Sequence, residues 1–65
     1  MENLLEQIWK SRFVECLAGA FTRRGLRLAD AIEDAVAHAD DYYPGRGQGT
    51  PEQEAIVVLK SLSDG

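Results

Sequence analysis

One cysteine, two prolines and five aromatic residues are all that the 65-residue chain carries of these types, and its longest apolar run is the five residues of AIVVL. The single Cys16 excludes an internal disulfide framework and fits a reducing compartment, with the thiol read as a small buried hydrophobe. Charges interrupt the apolar segments every few residues, so no stretch nears the roughly 20 apolar residues of a membrane helix, and MENLLEQIWK does not read as a secretory leader. The expected location is the cytoplasm, with no membrane partner. Basic residues are also scarce: seven Lys and Arg stand against eleven Asp and Glu, for a net charge of −4. That balance argues against a protein that works by neutralising nucleic-acid phosphates.

The length allows one domain, residues 1–65. A chain this short buries only about 60% of its unfolded surface, and domains of this size usually need a disulfide, a metal or a partner subunit. The spacing predicts an all-α domain of three helices: a hairpin over about 3–24 and 28–43, a flexible connector over 44–50, and a short third helix over 51–62.

In the first helix Leu5, Trp9, Phe13, Cys16, Leu17, Ala20 and Phe21 share one broad side at 100° per residue, with Val14 at its margin. Leu4 and Ile8 project away from it, which leaves more apolar surface than one small neighbour covers. Asn3 with Glu6 reads as the N-terminal cap, and Gly25 as the residue that ends the helix beyond Arg23 and Arg24. In the second helix Asp30 reads as N-cap with Glu33 at N3. Ala29, Ile32, Ala35 or Val36, Ala39 and Tyr42 or Tyr43 form its expected buried stripe, opposite Asp30, Asp34, His38 and Asp41. In the third, Thr50 as N-cap, Pro51 at N1 and Gln53 at N3 spell a capping box. Those caps decide for helix over strand in the β-branched AIVVL.

The stretch YYPGRGQGTPEQE has glycines at 45, 47 and 49, and so raises the question of a phosphate cradle. A phosphate loop needs a preceding strand, a lysine and a hydroxyl, and GRGQGT has no lysine. Arg46 and the N-terminus of the third helix attract anions weakly, while Glu52 and Glu54 in that turn repel them. Asp34, His38 and Asp41 share a helical face with metal-ligand spacing, but no further ligands are evident. Cys16 and His38 lack a third orienting group. No enzymatic activity, cofactor or metal is therefore expected.

Two resemblances bear on function. AFTRRGLRLADAIEDA resembles the opening of a bacterial helix-turn-helix domain, which implies DNA binding. The segment that follows, AVAHADDYY, is acidic where that family carries a basic recognition helix. GLRLADAIEDAVAHADDYY resembles, in size and style, the small helical accessory proteins of phages and prophages. That likeness implies a modulator or inhibitor of a protein complex, its acidic helix acting as a nucleic-acid mimic. The leading expectation is a small acidic, non-enzymatic protein-interaction module that self-associates as a twofold dimer. Leu4, Leu5, Ile8, Trp9 and Phe13 are its expected interaction residues, with Trp9 foremost, and the third helix packs either on its own chain or on a neighbour.

Overall fold

A computed structural model describes residues 2–64, with side chains for 4–63. The protein is a three-helix, all-α domain, and no strand occurs among the described residues. Helix α1 spans Glu2–Arg23, α2 Leu28–Tyr42 and α3 Pro51–Asp64, with a single 3₁₀ turn at Tyr43–Gly45. α1 is the central element and packs against both others. α3 is nearly as long as α2 and lies on α1 of its own chain.

Local chemistry accounts for the helix ends. At the close of α1, Gly25 takes φ +104°, a conformation open to glycine and costly for other residues. That turn lets Leu26 N–H donate to the Phe21 carbonyl at 3.2 Å and Gly25 N–H to the Thr22 carbonyl at 3.0 Å, the paired bonds of a Schellman motif. The α3 capping box closes in both directions: Gln53 N–H donates to Thr50 Oγ1 at 3.2 Å, and Thr50 N–H donates to Gln53 Oε1 at 3.0 Å. Two expected caps differ. α1 already includes Glu2, so Asn3 lies inside the helix, and its side chain is outside the described residues. α2 starts two residues before Asp30, and its N-cap is Arg27, with extended backbone and no side-chain cap bond. Asp30 therefore stands in the first turn, where its charge meets the positive end of the helix dipole.

The core consists of Phe13, Leu17, Ala18 and Phe21 from α1, Ala31, Ala35 and Ala39 from α2, and Ala55 and Val58 from α3. α2 keeps Ala35, Ala39 and Tyr42 of its expected stripe on the core side but is turned so that Ala31 replaces Ala29 and Ile32. Its buried row is Ala31, Ala35 and Ala39, whereas Ala29, Ile32 and Val36 are exposed. The reason is volume: α1 supplies Phe13, Leu17 and Phe21 to the seam, and only a row of small residues lets the two helices close over them. Leu5, placed on the core side of α1 by its spacing, is also exposed.

Aromatic rings close one end of the core. Trp9 stacks on Phe13 with centroids 5.1 Å apart, Phe13 stacks on Tyr42 at 5.7 Å, and Trp9 meets Tyr43 edge-on at 5.3 Å. The exposed face of Tyr43 is covered by the Arg46 guanidinium, 3.8 Å from the ring centre.

If the alanine seam sets the α1–α2 distance, Ala35→Leu overpacks it. Urea denaturation should show a loss of about 1–3 kcal/mol, whereas Ala37→Leu, on the exposed side of the same helix, should stay within about 0.5 kcal/mol of the parent. Equal effects at the two positions would refute the close-packed seam.

Candidate docking groove

Rotation of α2 has a consequence on the surface. With the alanine row turned inward, Leu28, Ile32 and Val36 form a ridge four residues apart along one outer edge of α2, with exposures of 65%, 43% and 42%. The ridge borders a groove of about 620 Å³ between α1 and α2. Val14 and Ala18 of α1 and Ala39 of α2 line its apolar part, and Ser11 and Gly19 keep the α1 side low. Charge is confined to its rim. Lys10 there binds Glu6 at 2.8 Å and Asp40 at 2.9 Å, both of which raise its pKa, and Glu15 lies on the α1 side.

The five interaction residues expected from sequence divide. Leu4, Leu5 and Ile8 are exposed at the start of α1. Trp9 is half-buried and committed to the stack with Phe13 and Tyr43. Phe13 has no exposed surface at all, so no partner can reach it in the folded chain. The ridge of α2 does not follow from the sequence reading, which places Ile32 inward and leaves Ala35 or Val36 open. The available signal was the alanine spacing itself, at 31, 35 and 39, which marks a close-approach row more sharply than the larger aliphatics mark a core.

The glycine-rich loop holds an anion, and that anion is the protein's own Glu54. Its side chain turns inward and is 8% exposed, the one buried charged residue among those described. Tyr42 OH donates to Glu54 Oε1 at 2.7 Å and Gly47 N–H donates to the same oxygen at 3.1 Å. These two bonds, with a further one from the Gly49 backbone, hold the carboxyl below its ordinary value of 4.5. The tyrosine moves the other way: the bond to Glu54 and partial burial raise its pKa above 10.0. Close approach explains two of the glycines. A Cβ on Gly49 would lie 2.7 Å from Glu54 Oε2 and 2.8 Å from Gln53 Oε1, and one on Gly47 would lie 3.2 Å from Glu54 Oε1, whereas Gly45 has nothing within 4 Å.

The remaining candidates fall apart spatially. Cys16 lines a depression between α1 and α3 with Arg12, Arg23 and Glu52, where Arg12 grips Glu52 through two bonds of 3.0 and 2.8 Å. That pair is the main cause of the lowered Glu52 pKa. His38 lies elsewhere, between α2 and α3, with its ring 6.0 Å from that of Phe21 and beside Asp41, Val57 and Leu62. No group of three or more metal-ligating side chains gathers among the described residues. α2, the helix after the TRRG turn, has acids as its only fixed charges, Asp30, Glu33, Asp34, Asp40 and Asp41, so a duplex meets no positive charge along it. No described helix is long and apolar enough to cross a membrane.

Two outcomes are expected of the loop. Gly49→Ala should destabilise, because the new methyl displaces the Glu54 carboxylate from its donors, while Gly45→Ala should be close to neutral in a thermal melt. The second concerns pH. Because the carboxyls of Glu54 and Glu52 titrate below 4.5 when folded, their contribution is complete above that pH and disappears as pH falls through the lowered values. Tyr42, raised above 10.0, adds stability that disappears as pH climbs through its own higher value. Tyr42→Phe should therefore weaken both limbs of the stability–pH curve, and a curve of unchanged shape would contradict the Tyr42–Glu54 bond.

The chain matches no protein-family model, and no characterised protein or solved structure is significantly similar to it.

Proposed function

We propose that the chain is a non-enzymatic protein-interaction module that works in the cytoplasm by apolar docking at the groove between α1 and α2. One observation carries this reading: the three large aliphatics of α2, Leu28, Ile32 and Val36, all lie outside the chain's own core and border one groove. Leaving these side chains 42–65% exposed forgoes part of the roughly 1.5–3 kcal/mol that full burial of each contributes, and clustering them beside one groove is the pattern of an interaction surface. The lone Cys16 supports a reducing compartment. The resemblance of residues 25–43 to phage accessory proteins supports modulation of a bacterial or phage protein complex as the role. Apolar docking is preferred over nucleic-acid mimicry, because the groove is apolar at its centre and charged only at its rim.

The test is site-specific photo-crosslinking in the source cell, with a photo-reactive residue in place of Ile32 or, on the other side of the helix, of Ala37. Adducts should form from position 32 and not from 37, and their yield should hold as salt rises. Equal yields from both positions, or none from either, would refute the groove as a docking surface. Adducts that vanish steeply with salt would instead favour acidic mimicry.

A further inference from the structure

If the α1–α2 groove is the docking surface, as proposed above, the chemistry of its occupant follows from its walls and its rim. Both walls are α-helices, whose backbone N–H and C=O groups are paired within their own turns. An extended segment laid between them would find no ladder to join, and its own amides would lose water without gaining partners. A helix arrives with those groups already satisfied. Leu28, Ile32 and Val36 line the α2 wall over about 12 Å, the span of about two helical turns, which suits a partner helix with apolar anchors one turn apart.

Charge at the rim selects among such helices. Glu15 and Asp40 line the groove, Glu6 is joined to Asp40 through Lys10, and Glu33 stands three residues before Val36 on the exposed side of α2. Lys10 is the one base in the lining, and its charge is already matched by Glu6 at 2.8 Å and Asp40 at 2.9 Å. Among the described residues no base lies within ion-pair distance of Glu15 or Glu33. Arg12, on the other side of α1, is held by Glu52, and Arg24 is bonded to Ser63. The net charge of −4 adds a weaker field of the same sign. We infer that the groove takes an amphipathic helix of a partner protein, its apolar face on Leu28, Ile32 and Val36 and its flanks carrying lysine or arginine toward Glu15 on one side and Glu33 and Asp40 on the other. An acidic helix, or a second copy of this chain, meets like charge at the same border.

The test is selection on the full chain from a displayed library of amphipathic helical peptides, with aliphatic anchors on one face and Lys, Gln or Glu varied on its flanks. Lys should be enriched over Glu at the flanks, and a selected peptide should bind about tenfold or more tighter than the same peptide with Glu in place of Lys. Reversing the rim with Glu15→Lys and Glu33→Lys, both at exposed positions, should reverse that preference. The apolar wall supplies most of the affinity, so raising salt from about 0.05 to about 0.5 M should weaken binding by less than about tenfold. General attraction of basic peptides to an acidic protein responds differently to Ile32→Glu: the added acid strengthens it, whereas binding in the groove should weaken about tenfold or more. Methyl shifts of the wild-type chain on titration need no variant to fold, and those of Leu28, Ile32 and Val14 should move while those of Ile56 and Val57 on α3 stay in place. Selected peptides with neutral or acidic flanks that still shift the Ile32 methyls leave the docking reading standing and overturn the basic partner. No enrichment, or binding that Ile32→Glu strengthens, overturns the inference too, and crosslinking from position 32 in the cell then reports separately on the groove.

Discussion

The row Ala31, Ala35, Ala39 is the constraint on which the rest of this small fold depends. α1 brings three bulky side chains to the seam, and Phe13 and Leu17 are fully enclosed there. Interaxial distances between packed helices fall near 8–10 Å according to the side chains at the contact, so bulk on one helix asks for small residues on the other. The alanines meet that demand, and Tyr42, one turn further on, adds an aromatic face to Phe13. Once this row is inside, the phase of every other α2 residue follows.

A second constraint works at the opposite end of the chain's polarity scale. Burying an ionised carboxylate is costly unless hydrogen bonds replace its water, and Glu54 receives them from Tyr42 and from the glycine-rich loop. One carboxylate thereby connects the end of α2, the loop and the first turn of α3. α3 is anchored on the α1 side by Arg12 with Glu52, so two neighbouring acids in one turn hold it to two different helices. The capping box closes the same turn, which is why the connector reaches α3 in a defined register despite three glycines.

What was legible in the sequence was chemistry that acts over three or four residues. Gly25 as a helix stop and Thr50, Pro51 and Gln53 as a helix start are local bonds between near neighbours, and their residue types name them. The phase of α2 was legible only in part: apolar periodicity puts Ala39 inward and leaves Ala35 or Val36 open, but it also draws in Ile32, while the choice is made by volume matching to a helix elsewhere in the chain. The role of Glu54 was only partly legible for a related reason. As a helix-start acid it reads as repelling any anion at the loop, and only Tyr42, twelve residues earlier, shows that it is itself the anion held there. Phe13 and Trp9 were offered as interaction residues because aromatic side chains serve cores and interfaces alike, and sequence spacing on a helix that is apolar on most sides does not separate the two.

The thin interior and the bulky exterior of α2 are then one arrangement. This helix carries two apolar rows, one of alanine and one of larger aliphatics, and in a chain of this length it can present only one to α1. Turning the Leu28, Ile32 and Val36 row inward would bury more apolar surface per residue. It would also set large side chains against Phe13, Leu17 and Phe21 and force the helices apart, opening voids around the aromatic end of the core. With the alanines inside, the seam is dense and the larger side chains stay on the surface, next to a trough made by the small residues of α1. The outer face of α2 is therefore set by the packing that holds the chain together.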